Sequence, residues 1–572
     1  MSPRPCITAA LLLLLAFSVA CGPEPTPTPT VGMPPMPSPT GASPTPQPQA
    51  TATATLTRTP TPSLDSFSGP SLFGVPREGS LVLADAEPIT LDPATSQEAS
   101  SHQYVVQIFS GLVRLDDNLR VAPDLAERWD ILDDGTRYVF HLRKEAKFHN
   151  GRRVTAQDVV FSLERATDPK TESRTAASYL GDIVGVKEKL AGEVQRISGI
   201  RAIDDATVEI LIDGPKAYFL AKLTYSVASV VDRGNVTAGP DWYRRPNGTG
   251  PFRLKAWEKD QHLILESNRD FYRGAPQAKY VVFRFLAGVP IRMYEQGDID
   301  VAYVGAGSLE RVLDPQSPLN RELRVYPELT IFYTGFNTAK PPFDDALVRR
   351  AFAIALDVDK LVDVVHQGYV ERANGFLPPG IPGYVPDSPG IHYDPAEARR
   401  LLAQSGYGGA DDLPPIIYIT SGQGVVGATL SAMVEMWRAN LGVEVSVRQI
   451  PTEVYYYHLD EEVDNLFDYG WIADYPDPEN ILDVLFHTGT TNNTGAYSNP
   501  QVDAVLEAAR TEQNVEQRLA LYRQSQEMLL DDAAAIPLWH GTTYVLVKPY
   551  VSGYAITPQG LPTLEQVRLE PR

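Results

Sequence analysis

The chain has 572 residues, with 50 Lys or Arg and 71 Asp or Glu, so its formal net charge at pH 7 is −21. This length is sufficient for two or three domains with sizeable cores. The acidic charge argues against a nucleic-acid partner, because no basic excess is available to replace phosphate counterions. Both cysteines, Cys6 and Cys21, lie near the start, so the rest of the chain has neither a disulfide nor a thiolate metal site.

Residues 1–20 have the pattern of a secretory signal peptide. Arg4 supplies a positive charge, and residues 7–16 form an apolar core that is too short to cross a bilayer as a helix. Ser18-Val19-Ala20-Cys21 then resembles a bacterial lipobox, in which the cysteine is acylated and becomes the first residue of the mature protein. We predict lipidation at Cys21, with ordinary cleavage after Ala20 and release of the protein as the alternative.

Residues 21–76 are rich in Pro, Thr, Ser and Ala and have almost no apolar periodicity. Such a composition cannot bury enough apolar surface to offset the entropy of ordering, so we predict a disordered, lipid-anchored linker. At roughly 3 Å per residue in polyproline II conformation, it would reach up to ~150 Å from the membrane.

The folded part is predicted to begin near residue 79 with mixed α and β elements. Residues 80–84 and 137–142 have strand patterns, and residues 103–112 have apolar positions at helical spacing. Residues 155–166 are predicted to form a helix with a threonine cap. Because no regular βαβ period is present, a simple doubly wound sheet is excluded for this part.

The second half of the chain continues with alternating strands and capped helices. A strand is predicted at 331–337, and Asp344 or Asp345 is predicted to cap a helix over 346–356. Asp394 is expected to cap the next helix, which has a proline at its first position.

Residues 422–427 read Gly-Gln-Gly-Val-Val-Gly between a predicted strand, 416–420, and a predicted helix. This is the context of a dinucleotide-binding motif, which also needs an acidic residue at the end of the following strand. The following strand, 443–447, carries Glu444 near its start and is followed by Arg448. We therefore predict a loose turn rather than a nicotinamide or flavin site, and no cofactor.

Residues 471–480 read Trp-Ile-Ala-Asp-Tyr-Pro-Asp-Pro-Glu-Asn and hold two carboxylates with different local chemistry. Asp477 precedes a proline and a predicted helix, so it is expected to be a helix cap. Asp474 has no such pattern and lies between Trp471 and Tyr475. A carboxylate among aromatic rings is partly desolvated and favours a cationic partner, so Asp474 is the candidate binding residue, with a surface turn acid as the alternative.

Sequence signatures of catalysis are missing. The chain has no G-x-S-x-G, H-E-x-x-H, P-loop or C-x-x-C motif, and its nine histidines lack metal-ligand spacing. His141 and His149 flank a strand end and could meet, but beside Phe140 and Phe148 they are expected to be hydrogen-bonded core or edge residues. We predict that the protein is not an enzyme and holds no metal.

Dispersed motifs of the folded part occur in a fixed order. They lie at residues 108–113, 123–129, 140–143, 148–151, 154–159, 248–252, 297–300, 335–337, 341–345, 471–480 and 535–539. Together they resemble the extracellular solute-binding proteins of the peptide/nickel importer family, family 5.

The resemblance implies an α/β fold of the three-domain periplasmic-binding-protein type, cluster C, also called a Venus flytrap. Domain I would comprise residues 77–110, 229–330 and 541–572, domain II residues 111–228, and domain III residues 331–540. Two crossovers would join domain III to domain I and form a hinge. A ligand bound between the lobes would stabilise the closed form through its differential affinity.

The resemblance also implies a binding site. In peptide-binding members the acid of a W-x-x-D motif pairs with the ligand's α-amino group, and the main chain of a Gly-Trp-x segment bonds the peptide backbone. The matching residues are Asp474 and Gly470-Trp471-Ile472, with Tyr475 beside them. The match also places Glu98-Ala99-Ser100 at the domain I wall of the cleft.

This sequence departs from the oligopeptide-binding pattern in two places. Segment 467–471 is shorter than its counterpart and lacks the arginine that faces the ligand carboxylate. A Pro-Tyr pair that contacts the ligand backbone is replaced around Thr175-Ala176, before Ser178-Tyr179-Leu180. The carboxyl end of a peptide is therefore held differently here, or the ligand is not a simple peptide.

By this resemblance the protein would be a monomeric, extracytoplasmic lipoprotein on the outer face of the bacterial cell membrane. It would touch the membrane only through its lipid anchor. It would capture di- to oligopeptides and pass them to an ABC permease and its ATPase. The alternatives are transport of a non-peptide amine-bearing or cationic solute, such as an opine, a polyamine-like compound, a metal chelate or a short glycan, a ligand sensor without transport, and a secreted hydrolase.

Overall fold

The computed structural model of the protein describes residues 71–285 and 288–571. The predicted signal peptide, the lipidation site at Cys21 and most of the predicted linker lie outside these ranges. In the described ranges, no helix combines the length and the apolar character needed to cross a membrane.

Ordered structure begins earlier than the sequence predicts. Ser71–Leu72 and Val75–Pro76 pair as a short antiparallel hairpin. Leu72 and Val75 are buried in the core beneath the first sheet. The predicted linker therefore extends too far at its carboxyl end. Its boundary was predicted from average composition, which did not take account of the apolar residues Leu72 and Val75 on either side of a turn.

A seven-stranded mixed sheet is formed from both ends of the described chain. In spatial order its strands are Phe252–Glu258, His262–Ser267, Tyr280–Arg284, Ser80–Ala84, Val301–Tyr303, Thr542–Val547 and Leu323–Pro327. The apolar strand Ser80–Ala84 pairs in parallel with both neighbours, as expected for a buried central strand. Helix Ala99–Ile108 packs on one face, and helices Pro290–Gln296 and Ala306–Leu313 pack on the other.

A four-stranded antiparallel sheet is inserted after the first strand of the seven-stranded sheet. Its order is Ala126–Leu132, Arg137–Leu142, Thr207–Leu211 and Ile200–Asp204. Helix Ala156–Ala166 packs in its core and begins with a capping box between Thr155 and Asp158, as predicted. The short helices in this part are Ala176–Leu180, Val186–Leu190 and Phe219–Lys222.

A six-stranded sheet organises the second half of the chain. Its order is Glu371–Arg372, Ala535–His540, Thr330–Phe336, Leu466–Ile472, Ile416–Ser421 and Val445–Ile450. One face is covered by Ala346–Ile354, Pro395–Gln404 and Ala428–Leu441, and the other by Tyr455–Glu461, Pro500–Thr511 and Val515–Asp531. Among the remaining short elements are three strand pairs: Val113–Leu115 with Val121–Pro123, Val551–Ser552 with Arg568–Leu569, and Ala555–Ile556 with Pro562–Thr563. Others are the helices Arg233–Val236, Val358–Lys360 and Val484–Phe486 and the π-helices Leu361–Val365 and Glu479–Asp483.

The chain crosses twice between the seven-stranded and six-stranded sheets. Leu323–Pro327 leads into Thr330–Phe336, and Ala535–His540 leads into Thr542–Val547 through Gly541. The predicted α/β fold with two crossovers is therefore confirmed. The domain I, II and III boundaries stay a prediction.

The two crossovers lie side by side. The main-chain N–H of Glu328 donates to the carbonyl oxygen of Gly541 at 3.1 Å, and Gly541 N–H donates to Oγ1 of Thr330 at 2.7 Å. A Cβ atom at Gly541 would lie 2.5 Å from Oε2 of Glu328. It would also meet Oγ1 of Thr330, the acceptor of the Gly541 N–H, so a side chain at this position would disturb the hydrogen bonds between the crossovers.

Two helices begin at residues other than the predicted ones. Helix Ala99–Ile108 starts before predicted residue 103, because its first turn is small and polar and lacks the apolar periodicity that marks the rest. Helix Ala428–Leu441 starts only after Gly427. Gly422 and Gly424 have φ values of +132° and +100°, so this stretch forms a loop, as the loose-turn interpretation requires.

Candidate functional site

Asp474 lies just beyond the carboxyl end of strand Leu466–Ile472, next to the first crossover. The strand pairs with Thr330–Phe336 along its whole length. Immediately after it, the N–H of Ala473 donates to the carbonyl oxygen of Leu329 at 2.8 Å. Asp474 therefore lies next to Leu329, which belongs to the first crossover between the two sheets.

Asp474 is contacted by distant parts of the chain. The hydroxyl of Tyr179, which is 295 residues earlier, donates to its Oδ2 atom. Nε2 of Gln559 donates to its carbonyl oxygen at 2.6 Å. Oδ1 of Asn480 accepts from its main-chain N–H at 2.9 Å and from Nε1 of Trp471 at 3.1 Å. Asn480 is fully buried, so it fixes the acid relative to the indole.

The Asp474 carboxylate has no charged partner in the part of the chain that the structure describes. Burial raises the pKa of its carboxyl from 3.8 to about 6, and hydrogen bonds from Tyr179 and Asn480 limit the rise. No attraction to a cation contributes to this balance. The carboxylate is therefore mostly ionised at neutral pH and would be stabilised by an incoming cation.

An aromatic group surrounds this carboxylate. The ring of Tyr179 stacks on that of Tyr225, with centroids 3.8 Å apart and an interplanar angle of 4°. Tyr475 meets Tyr179 edge to face at 6.2 Å, and His102 stacks on Tyr225 at 5.0 Å. These rings keep the dielectric around the carboxylate low, which strengthens the attraction of the carboxylate to a cation.

The predicted first wall of the cleft reaches the same aromatic group. Glu98 immediately precedes helix Ala99–Ile108, and its charge, like that of Asp474, acts on the hydroxyl of Tyr225. Ala99 is exposed and Ser100 is partly exposed at the start of the helix. His102 of this helix stacks on Tyr225, so the structure brings the start of the helix, with Glu98, toward the aromatic group around Asp474, whereas the roles of Ala99 and Ser100 stay predictions.

The other predicted contacts have structural roles of their own. Gly470 lies opposite Phe332, whose ring would be only 2.9 Å from a Cβ at this position. Trp471 packs partly into the core of the six-stranded sheet, and Ile472 is 39% exposed. Tyr475 is buried and belongs to the core of the four-stranded sheet. Their contacts with ligand stay predictions.

Lys222 and Glu479 join the four-stranded part to the six-stranded part. Nζ of Lys222 lies 3.4 Å from Oε1 of Glu479 and 3.0 Å from Oδ2 of Asp182, and the hydroxyl of Tyr475 donates to Glu479. Burial raises the pKa of Glu479, and Lys222 opposes the rise. Burial alone would lower the pKa of Lys222, but attraction to Glu479 and Asp182 outweighs it and raises the pKa.

Asp477 accepts the N–H of Glu479 at 3.0 Å, in keeping with its predicted capping role, although the helical residues begin after Pro478. It also forms a two-point ion pair with Arg518, with distances of 2.6 and 2.9 Å. Asp477 is therefore neutralised by a protein cation, unlike Asp474, and that contrast separates the two acids of the run.

The two histidines considered from sequence have separate partners. Nε2 of His141 is 2.8 Å from Oδ2 of Asp130, and Nε2 of His149 is 3.1 Å from the carbonyl oxygen of Gly250. This is the hydrogen-bonded edge or core role that was expected.

Sequence reasoning missed Tyr179, Tyr225, Asn480 and Gln559 as neighbours of Asp474. Asn480 is part of the 471–480 run, which stands out in the sequence for its acids and aromatic residues and not for this amide. The tyrosines and the glutamine carry no local signal, because their proximity depends on how the sheets are arranged.

A family model described as "Bacterial extracellular solute-binding proteins, family 5 Middle" matches residues 120–493. The chain belongs to this family. The predicted resemblance is confirmed, and the similarity of this solute-binding protein to individual relatives extends over most of its length.

Two curated relatives come from Escherichia coli K12. One is named "Probable deoxycholate-binding periplasmic protein YgiS" and is 30% identical over 82% of this chain and 89% of its own. The other, "Periplasmic oligopeptide-binding protein OppA", is 30% identical over 81% of this chain and 87% of its own. The solved structure of the Escherichia coli murein tripeptide binding protein MppA superposes with a TM-score of 0.75 and 27% identity, over 86% of this chain and 99% of that chain.

Proposed function

We propose that this protein is the substrate-binding lipoprotein of an ABC importer and captures peptides with a free amino end. The ligand would lie between the lobes, with its ammonium on Asp474, and hinge closure would present the loaded form to a membrane permease and its ATPase. The lobes would correspond to the predicted domains I to III. A lipid at Cys21 would anchor a monomeric, non-enzymatic receptor outside the cytoplasm.

The observation that carries this proposal is the uncompensated carboxylate of Asp474. In the described chain it has hydrogen-bond donors and aromatic rings around it but no cation. A charge-assisted bond from a ligand ammonium typically contributes ~1.5–3 kcal/mol. Two relatives whose names specify peptides, OppA and MppA, support a peptide ligand.

The test is calorimetric titration of the wild type and of Asp474→Asn with Ala-Ala-Ala. We expect the variant to bind at least ~2 kcal/mol more weakly, roughly 30-fold, because the ammonium loses its carboxylate. Asp531→Asn, a change at an exposed acid, is the matched control and should bind as the wild type does. Thermal melts check that both variants fold.

Equal affinities of the wild type and Asp474→Asn would remove Asp474 from the site. Native mass spectrometry of the purified protein tests the ligand class independently, by identifying whatever co-purifies. A co-purified ligand without a protonated nitrogen would overturn the amine requirement, as would a deoxycholate-like solute of the kind named for YgiS.

A second candidate is the same transport role for a non-peptide amine-bearing solute. The observation that favours it is the residue before Trp471, which is Gly470 rather than an arginine, so the expected partner of a peptide carboxylate is missing at that position. Binding of a primary amine without a carboxylate, at least as tight as that of Ala-Ala-Ala, would support this candidate over the first.

A further inference from the structure

A second carboxylate acts on the same tyrosine pair as Asp474. Burial raises the pKa of the Tyr225 hydroxyl, and the charges of Asp474 and Glu98 raise it further. Tyr225 is stacked on Tyr179, whose hydroxyl donates to Asp474. The helix that follows Glu98 carries His102, whose ring stacks on Tyr225, so geometry also links Glu98 to the tyrosine pair that contacts Asp474, although the two acids are far apart in sequence.

The Glu98 carboxylate is not explained by the helix that follows it. Glu98 occupies the cap position of Ala99–Ile108, yet its side chain accepts no hydrogen bond from the first turn. Its Oε2 atom is buried and has no hydrogen-bond partner within the described residues. A buried acceptor of this kind is costly unless something absent from the protein chain satisfies it.

His102 adds a second unsatisfied acceptor beside Glu98. His102 lies in the first turn of the helix that Glu98 precedes, its N–H donates to the carbonyl oxygen of Glu98 at 2.9 Å, and its ring stacks on Tyr225 at 5.0 Å. Its Nδ1 atom is buried without a partner in the described chain. Burial lowers the pKa of His102 to about 4, so at neutral pH the ring is uncharged and does not neutralise Glu98.

We propose that the cleft takes ligands with two protonated nitrogens, one on Asp474 and the other on Glu98 and His102. An ammonium carries three donors and no acceptor, which suits a carboxylate oxygen and a neutral imidazole. This inference rests on the proposed function and narrows its substrate class. The shared chemistry is two ammonium groups joined by a short aliphatic chain, supplied by a peptide that begins with lysine or by a free linear diamine.

The experiment compares Lys-Ala-Ala with norleucine-Ala-Ala, which differ by one ammonium group, by calorimetry on the full chain. We expect the wild type to bind the lysine peptide at least tenfold more tightly. Glu98→Gln should reduce this preference to less than threefold, and Asp474→Asn should weaken both peptides. Glu258→Gln, at an exposed acid of the seven-stranded sheet, is the control and should keep the wild-type preference.

The free diamine 1,5-diaminopentane distinguishes the two sources. Binding as tight as that of Lys-Ala-Ala, and lost in both acid variants, would assign the site to diamines, whereas binding more than a hundredfold weaker would assign it to peptides.

Three other results have separate meanings. Equal binding of the lysine and norleucine peptides, or a preference that survives Glu98→Gln, would overturn this inference and leave the proposed function standing. Binding of the diamine alone would overturn the peptide function and support the two-ammonium site. Binding of none of the three probes would overturn both.

Discussion

Burial of the ionised Asp474 carboxylate destabilises the folded protein, but it also strengthens the attraction of the carboxylate to a ligand cation. Because the pKa of this carboxyl rises from 3.8 to about 6 on folding, the folded chain holds the proton more tightly than the unfolded chain. Asp474 therefore favours the folded state most at low pH. That advantage is lost as pH rises from about 4 to about 6, and the ionised group is destabilising above this window.

From this we predict that Asp474→Asn stabilises the ligand-free protein. The expected gain in the free energy of unfolding is about 1–2 kcal/mol at pH 7.5, with a smaller gain at pH 5, because each tenfold change in proton affinity on folding corresponds to about 1.4 kcal/mol. Urea denaturation at both pH values measures it. An equal change at the two pH values would contradict the assignment of the raised pKa to Asp474.

At the scale of elements, helix Phe219–Lys222 and the π-helix Glu479–Asp483 are joined by a buried ion pair. Lys222 and Glu479 are both less than 10% exposed, and Asp182 shares the lysine. A buried pair of this kind adds little net stability over an apolar replacement, but the loss of one partner leaves a costly charge. Removal of one partner alone is therefore expected to weaken the contact between the two elements.

We predict that substitutions at Lys222 and Glu479 have strongly coupled effects on the stability of the protein. Lys222→Met should destabilise the protein by about 3–5 kcal/mol, and adding Glu479→Gln should recover most of the loss. Arg400→Met, which breaks an exposed pair with Glu397, is the control and should change stability by no more than about 1 kcal/mol. Additive losses in the double variant, measured by urea denaturation, would show that the pair does not act as a unit.

At the scale of the whole molecule, the paired crossovers join the seven-stranded sheet to the six-stranded sheet. The main chains of Gly541 and Glu328 are hydrogen-bonded there, and a side chain at Gly541 would meet Oγ1 of Thr330, which accepts the Gly541 N–H. Asp474 is tied to the same place through Ala473 and Leu329. A change at the crossovers is therefore expected to affect ligand affinity without touching the ligand.

We predict that Gly541→Ala lowers the free energy of unfolding by about 1–3 kcal/mol, because the added methyl group overpacks the crossover. It should also reduce affinity for Ala-Ala-Ala and alter the decrease in radius of gyration on ligand binding, as measured by small-angle X-ray scattering. Gly214→Ala, where a Cβ would meet nothing within 4 Å, is the matched control. Identical behaviour of the two variants would exclude a special role for Gly541.

Local chemistry was enough to predict much of the fold. Capping residues such as Thr155 and Asp345, and the alternation of Arg137–Leu142, are local features, so the elements they mark occur where expected. The linker end and the start of helix Ala99–Ile108 were misplaced because their apolar residues are few or absent. The family pattern supplied the two crossovers, which no local period indicates.

The sequence by itself determined the kind of chemistry at the candidate site: an acid among aromatic residues, separate from the neighbouring acid that caps a helix. Only the tertiary structure decided which acid lacks a cation, since Asp477 meets Arg518 and Asp474 meets Tyr179 through contacts between distant segments. It also brought His102, and with it Glu98 at the start of the same helix, to the same tyrosines. The physical reason is that burial and charge pairing depend on how sheets pack, which residues close in sequence do not reveal.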